Sequence, residues 1–182
     1  VQTTPLVLQT KLGPQAVAAK VAHTAWVVQY ETSLFNLFDF FSYKTAERVV
    51  DFKPVQLGPA SYQLTAAAQT WGQKAADYGW RAPVVHLEAT QGADYTNIAI
   101  RFAYDTRPYR TLALWGAVWV LVLAFALYSY DLNYGFGFFT AVALGVGGLA
   151  LVLATLASVQ NNWRQIEKNL TLLLRDSFND AA

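Results

Sequence analysis

The sequence has no cysteine and no methionine in 182 residues. Without thiols there can be no disulfide, thiolate zinc centre, iron–sulfur cluster or cysteine nucleophile. Charge is also scarce. Asp, Glu, Lys and Arg make up 14% of the chain, against about 25% in ordinary soluble domains. The apolar share is 54%, which excludes a disordered chain. The formal net charge is +1, so no strong field of one sign exists to gather nucleic acid or acidic ligands. Histidine occurs only as His23 and His86. Two distant histidines lack the converging spacing of a metal site.

What is present is long apolar runs. Thr111 to Tyr130 carries no charged side chain. At the helical rise it covers about 30 Å, the thickness of a hydrocarbon core. Gly135 to Val159 is likewise uncharged and can span with some tilt. The link between them is Asp131-Leu132-Asn133-Tyr134, which predicts an antiparallel transmembrane hairpin. Trp115, Trp119, Tyr128, Tyr130, Tyr134 and Trp163 fall near or toward the run ends, where aromatic rings prefer the headgroup zone, with Trp119 expected within the hydrocarbon.

Orientation follows from the cations. Arg101, Arg107 and Arg110 precede the first run, Arg164, Lys168 and Arg175 follow the second, and the link has none. The positive-inside rule then puts both termini on the cytoplasmic side, or its stromal or matrix equivalent, of a bacterial inner membrane or an organelle membrane. The N-terminal stretch lacks the charged region and apolar core of a secretory signal. Val1 is equally compatible with loss of an initiator Met and with cleavage of a targeting peptide.

The second run holds small residues four apart: Gly137, Ala141 and Gly145, and again Ala143 and Gly147. Such faces let another helix approach closely. The partner is either the first span or a helix of another subunit. Gly145-Val146-Gly147-Gly148 is not a phosphate loop, because it lies inside a span and no Lys follows. Neither run has the ionisable groups that an ion path or transport site needs.

Residues 1–108 read as an α+β domain on the cytoplasmic side. Leu6 to Thr10 reads as a strand ended by Gly13-Pro14. Gln15 to Lys53 contains no Gly or Pro. Val17, Val21, Ala25 and Val28 fit one helical face, and Leu34, Leu37, Phe38 and Phe41 fit another. Two helices broken near Glu31-Thr32-Ser33 are expected. Phe35, Phe38 and Phe41 are candidate contacts with a partner or the membrane surface, or else core. Arg48 to Leu57 admits a strand, and Ala60 to Asp77 is Ala-rich and suggests a helix. Val84–Ala89 and Thr96–Phe102 alternate about a Gly-containing turn, the pattern of a β-hairpin. Three to five strands with helices on one side are expected.

After the second run, Trp163, Ile166, Leu170, Leu173 and Leu174 recur at spacings of three and four, which marks an amphipathic helix. Trp163, Ile166, Leu170 and Leu174 face the chain's own domain, a partner or the membrane surface. The expected organisation is therefore three parts: 1–108, an α+β membrane-proximal domain; 109–159, a helical hairpin with spans of about 111–130 and 135–159; and 160–182, an amphipathic helix.

No nucleophile–base arrangement is visible, and neither catalysis nor a cofactor is expected. The expected role is a non-catalytic subunit that scaffolds, stabilises or helps assemble a larger membrane complex, such as an energy-transducing or photosynthetic one. Its expected partners are other integral membrane subunits and lipid, not nucleic acid, with a homo-oligomer also allowed. Two alternatives stay open. One is a membrane-anchored ligand- or protein-binding regulatory module, with Trp71, Tyr78 and Trp80 as pocket candidates. The other is a tetrapyrrole-binding subunit that uses His23.

Overall fold

The computed structural model describes residues 3–34, 44–66, 82–130 and 135–179. In chain order the elements are β1 (Leu6–Thr10), α1 (Pro14–His23), β2 (Trp26–Leu34), β3 (Lys44–Gly58), β4 (Ser61–Ala66), β5 (Val84–Gln91), β6 (Thr96–Ala103), α2 (Arg107–Tyr130) and α3 (Gly135–Asn179). The strands form one six-stranded sheet in the order β1-β6-β5-β4-β3-β2. β1 with β6, β3 with β4, β4 with β5 and β5 with β6 pair antiparallel.

The β5–β6 hairpin follows its alternation. Val85, Leu87 and Ala89 point inward with Ile98, Ile100 and Phe102, and His86 and Arg101 face outward as a cross-strand pair. At its turn the Gly92 N–H donates to the Tyr95 carbonyl over 2.8 Å, and a Cβ on Gly92 would also lie 2.8 Å from that oxygen. Only a residue without a side chain fits there without moving backbone.

The helix expected over Val17 to Val28 ends early. α1 stops at His23, and Trp26 begins β2, in which Trp26 and Val28 are buried and Val27 and Gln29 are exposed. Period-two burial and adjacent β-branched valines suit a strand. The chain turns within two residues because the Trp26 indole N–H donates to the Val21 carbonyl at 2.9 Å, holding the new strand against the end of α1. The second helix expected beyond residue 33 gives way to β2 as far as Leu34 and to β3 from Lys44. Phe35, Phe38 and Phe41 lie outside the described residues, as do Trp71, Tyr78 and Trp80. Residues 61–66 are a strand with Tyr62 and Leu64 buried, not helix; the remainder of that Ala-rich stretch lies outside the described residues.

The chain forms two compact units. One gathers 1–32, 45–105 and 161–182; the other gathers 33–44 and 106–160. The last part of α3 thus belongs with the sheet. Ile166, Leu170, Leu174 and Phe178 are buried in one core with Val17, Val21, Trp26, Phe52, Leu64 and Ile100. The Trp26 and Phe178 rings sit 6.4 Å apart. Fully burying a Leu, Ile or Phe side chain stabilises by about 1.5–3 kcal/mol, so this segment is a major part of the core.

Helix α3 also reaches both edge strands. Thr10 Oγ1 at the end of β1 donates to the Phe178 carbonyl over 3.2 Å. On β2, the Glu31 N–H donates to Gln165 Oε1 at 3.0 Å, and Asn169 Nδ2 donates to the Gln29 carbonyl at 2.7 Å. Residues two apart in a strand aim their backbone groups the same way. Two amides one helical turn apart therefore occupy consecutive bonding positions on one edge of β2. The sheet curls about the helix that supplies its core.

Candidate functional site: the apolar helix pair

Helix α2 and the first part of α3 are long and apolar enough to cross a membrane. Their surfaces are largely uncovered. Of the most apolar 18-residue window, only 11% is buried in α2 and 22% in α3. Leu114, Leu121, Phe125, Leu127, Tyr128, Phe139, Leu144, Val146 and Leu153 are all exposed. A buried core helix of a soluble protein would show the reverse, since large contiguous apolar surface in water is rare and unfavourable.

The two helices meet through glycine. A Cβ on Gly148 would lie 2.1 Å from the Trp119 ring, and one on Gly145 would lie 2.5 Å from Leu123. Gly116 looks onto Val152 at an ordinary 3.9 Å. Paired positions thus fall along α2 as they rise along α3. Gly145, a packing position on the four-residue spacing, sits where α3 comes against Leu123. Ala141, on the same side, is partly buried, and Gly137 lies at the start of α3. Gly148 is the packing residue that the four-residue spacing missed; the signal was the i, i+3 step from Gly145, equally natural on a helix.

Ala143 and Gly147 do not belong to this contact. Both are exposed, and a Cβ on Gly147 would meet nothing within 4 Å. Ala150 and Ala157 continue that open face. Thr155 Oγ1 on α3 donates to the Leu151 carbonyl one turn back at 2.8 Å. In hydrocarbon such a bond removes the cost of an unsatisfied hydroxyl.

The remaining candidates lie on the sheet unit. Trp163, Ile166, Leu170 and Leu174 form the amphipathic face for which the sequence allows the chain's own domain, a partner or the membrane surface. All four are buried, the last three in the sheet core, so the chain's own strands take up this face. Trp163 stacks at 4.8 Å on Tyr104, whose hydroxyl donates to Glu167 Oε2. His23 is exposed at the last turn of α1. Among the described residues no group of three His, Asp or Glu converges on a point.

His86 borders a shallow depression on the outer sheet face with Ser61, Glu88, Ala99 and Arg101. Strand register places Gln63, His86 and Arg101 in one row and Ser61, Glu88 and Ala99 in the next. The depression has a volume of about 210 Å3, below the roughly 300 Å3 at which small-molecule pockets begin. Comparison of the chain with known proteins finds no matching family model, no similar curated protein and no similar solved structure.

Proposed function

We propose that the chain is an integral membrane protein in which α2 and the first part of α3 form an antiparallel transmembrane hairpin. The observation that carries this is the exposure of apolar side chains around both helices. Lipid covers such surface at no cost, and water does not.

Two crossings return the chain to the side on which it began. The core supports this reading, because residues before α2 and residues after the apolar part of α3 share one core. Arg164, Lys168 and Arg175, exposed on α3, together with Arg101 and Arg110 favour the cytoplasmic, stromal or matrix face for that unit.

Within this setting the protein is a non-catalytic subunit that scaffolds or helps assemble a larger membrane complex. Its partner-facing surface is the small-residue face of Ala143, Gly147, Ala150 and Ala157. This face stays open after Gly145 and Gly148 have packed on α2, and it would admit another subunit's helix at close range. A binding module on the outer sheet is the second reading, favoured by His86 and Arg101 in one row and Glu88 in the next around the depression.

Extraction in mild detergent followed by separation by size tests the main reading. The expected result is co-migration with other membrane subunits that is lost in Gly147→Leu. Migration alone, unchanged by Gly147→Leu, would remove the subunit reading and leave the binding module.

A further inference from the structure

We propose that the sheet unit is completed only by insertion of the second span, so that the fold of the soluble part reports correct membrane topology. The inference rests on the transmembrane reading above. It starts from chain order. Among the described residues, all six strands and α1 precede the first span. The segment that supplies Ile166, Leu170, Leu174 and Phe178 to their core follows the second. Among the described residues no strand lies beyond β1 or β2; the helix reaches both edge strands instead, through Thr10, Gln29 and Glu31.

Before the second span has crossed, residues 161–178 lie on the wrong side of the bilayer. The sheet then exposes Trp26, Phe52, Leu64 and Ile100 where Ile166 to Phe178 would lie. It also presents the Gln29 carbonyl and Glu31 N–H on an unprotected strand edge. Exposed apolar surface and open edges mark a chain for aggregation or degradation. After insertion the same segment fills the core and caps the edge in one step. Leu170 and Leu174 thus act as a latch, and Gln165 and Asn169 as its edge cover.

The test uses the full chain in lipid vesicles. Leu144, Val146 and Leu153 are exposed on α3, so Leu144→Lys, Val146→Lys and Leu153→Lys together block the second crossing without touching the sheet core or the glycine contact. A second variant, Leu170→Asp with Leu174→Asp, leaves both spans intact and removes the latch. Protease resistance of residues 1–105 is read on the sheet side, and retention after alkaline washing is read separately.

The wild type is expected to stay with the vesicles and to yield a resistant sheet fragment. Both variants are expected to be retained and digested about tenfold faster or more, since cleavage follows the open population. A peptide of residues 159–182, added on the sheet side, is expected to restore resistance in the lysine variant. A resistant sheet in the Leu170/Leu174 variant, or no rescue by the peptide, would overturn the proposal. Release of the wild type on alkaline washing would instead overturn the membrane reading, and insertion as the trigger with it.

Discussion

At the scale of single residues, two pairs of neighbours show how position decides a role. Gly147 and Gly148 are adjacent, yet one faces open space and the other faces the Trp119 ring at 2.1 Å from its ideal Cβ. Gly148→Val should weaken the helix pair by about 1–3 kcal/mol, because an indole is rigid and the overpacked helix must shift. Gly147→Val should leave that pair unchanged. Unfolding of purified protein in detergent micelles, followed by tryptophan fluorescence, separates the two; equal destabilisation would place Trp119 elsewhere. The second pair is Trp26 and Val27, one wholly buried and the other exposed. Trp26→Ala should cost about 3–5 kcal/mol through lost volume. Trp26→Phe keeps most of that volume and loses the bond to the Val21 carbonyl, a loss of about 1 kcal/mol. Chemical denaturation monitored by far-ultraviolet circular dichroism checks this order, and a Trp26→Phe variant as stable as the wild type would mean that the indole bond contributes nothing.

At the scale of elements, the end of α3 does the work of a seventh strand. Gln165→Ala and Asn169→Ala each remove one bond to the β2 edge and should cost roughly 0.5–1.5 kcal/mol. Their larger effect should be faster aggregation, since an uncovered edge invites strand pairing. Light scattering of the double variant beside Leu172→Ala, an exposed position on the same helix, reads this; equal aggregation would mean that the edge is protected by other means.

The legible elements were those whose pattern is local. The β5–β6 hairpin, the Leu6–Thr10 strand and both apolar helices follow from period and length alone. Trp26 to Tyr30 was misread because Val17, Val21, Ala25 and Val28 also satisfy a helical period. What ends the helix is a local bond from the Trp26 indole to the Val21 carbonyl five residues back, which a hydropathy period does not display. The amphipathic face at Ile166 to Leu174 was visible, but its partner was not. A period tells which side is apolar and never what covers it. The packing site was half legible: Gly145 followed from four-residue spacing, whereas Gly148 required knowing where Trp119 lies.

At the scale of the whole molecule, the two proposed crossings and the one shared core predict a single arrangement. The proposed topology predicts that the sheet unit and the end of α3 share a face of the membrane and that position 133 is reached from the other. The absence of cysteine from the sequence makes this directly readable, since any introduced thiol is unique. Lys53 and Arg175 are exposed on the sheet unit, and Asn133 lies within the link. Lys53→Cys, Arg175→Cys and Asn133→Cys, each placed singly in sealed vesicles, can be labelled with a maleimide that does not cross the bilayer. The expected result is that positions 53 and 175 react from one side and position 133 only from the other. Reaction of all three from the same side would contradict the two-span topology at its root.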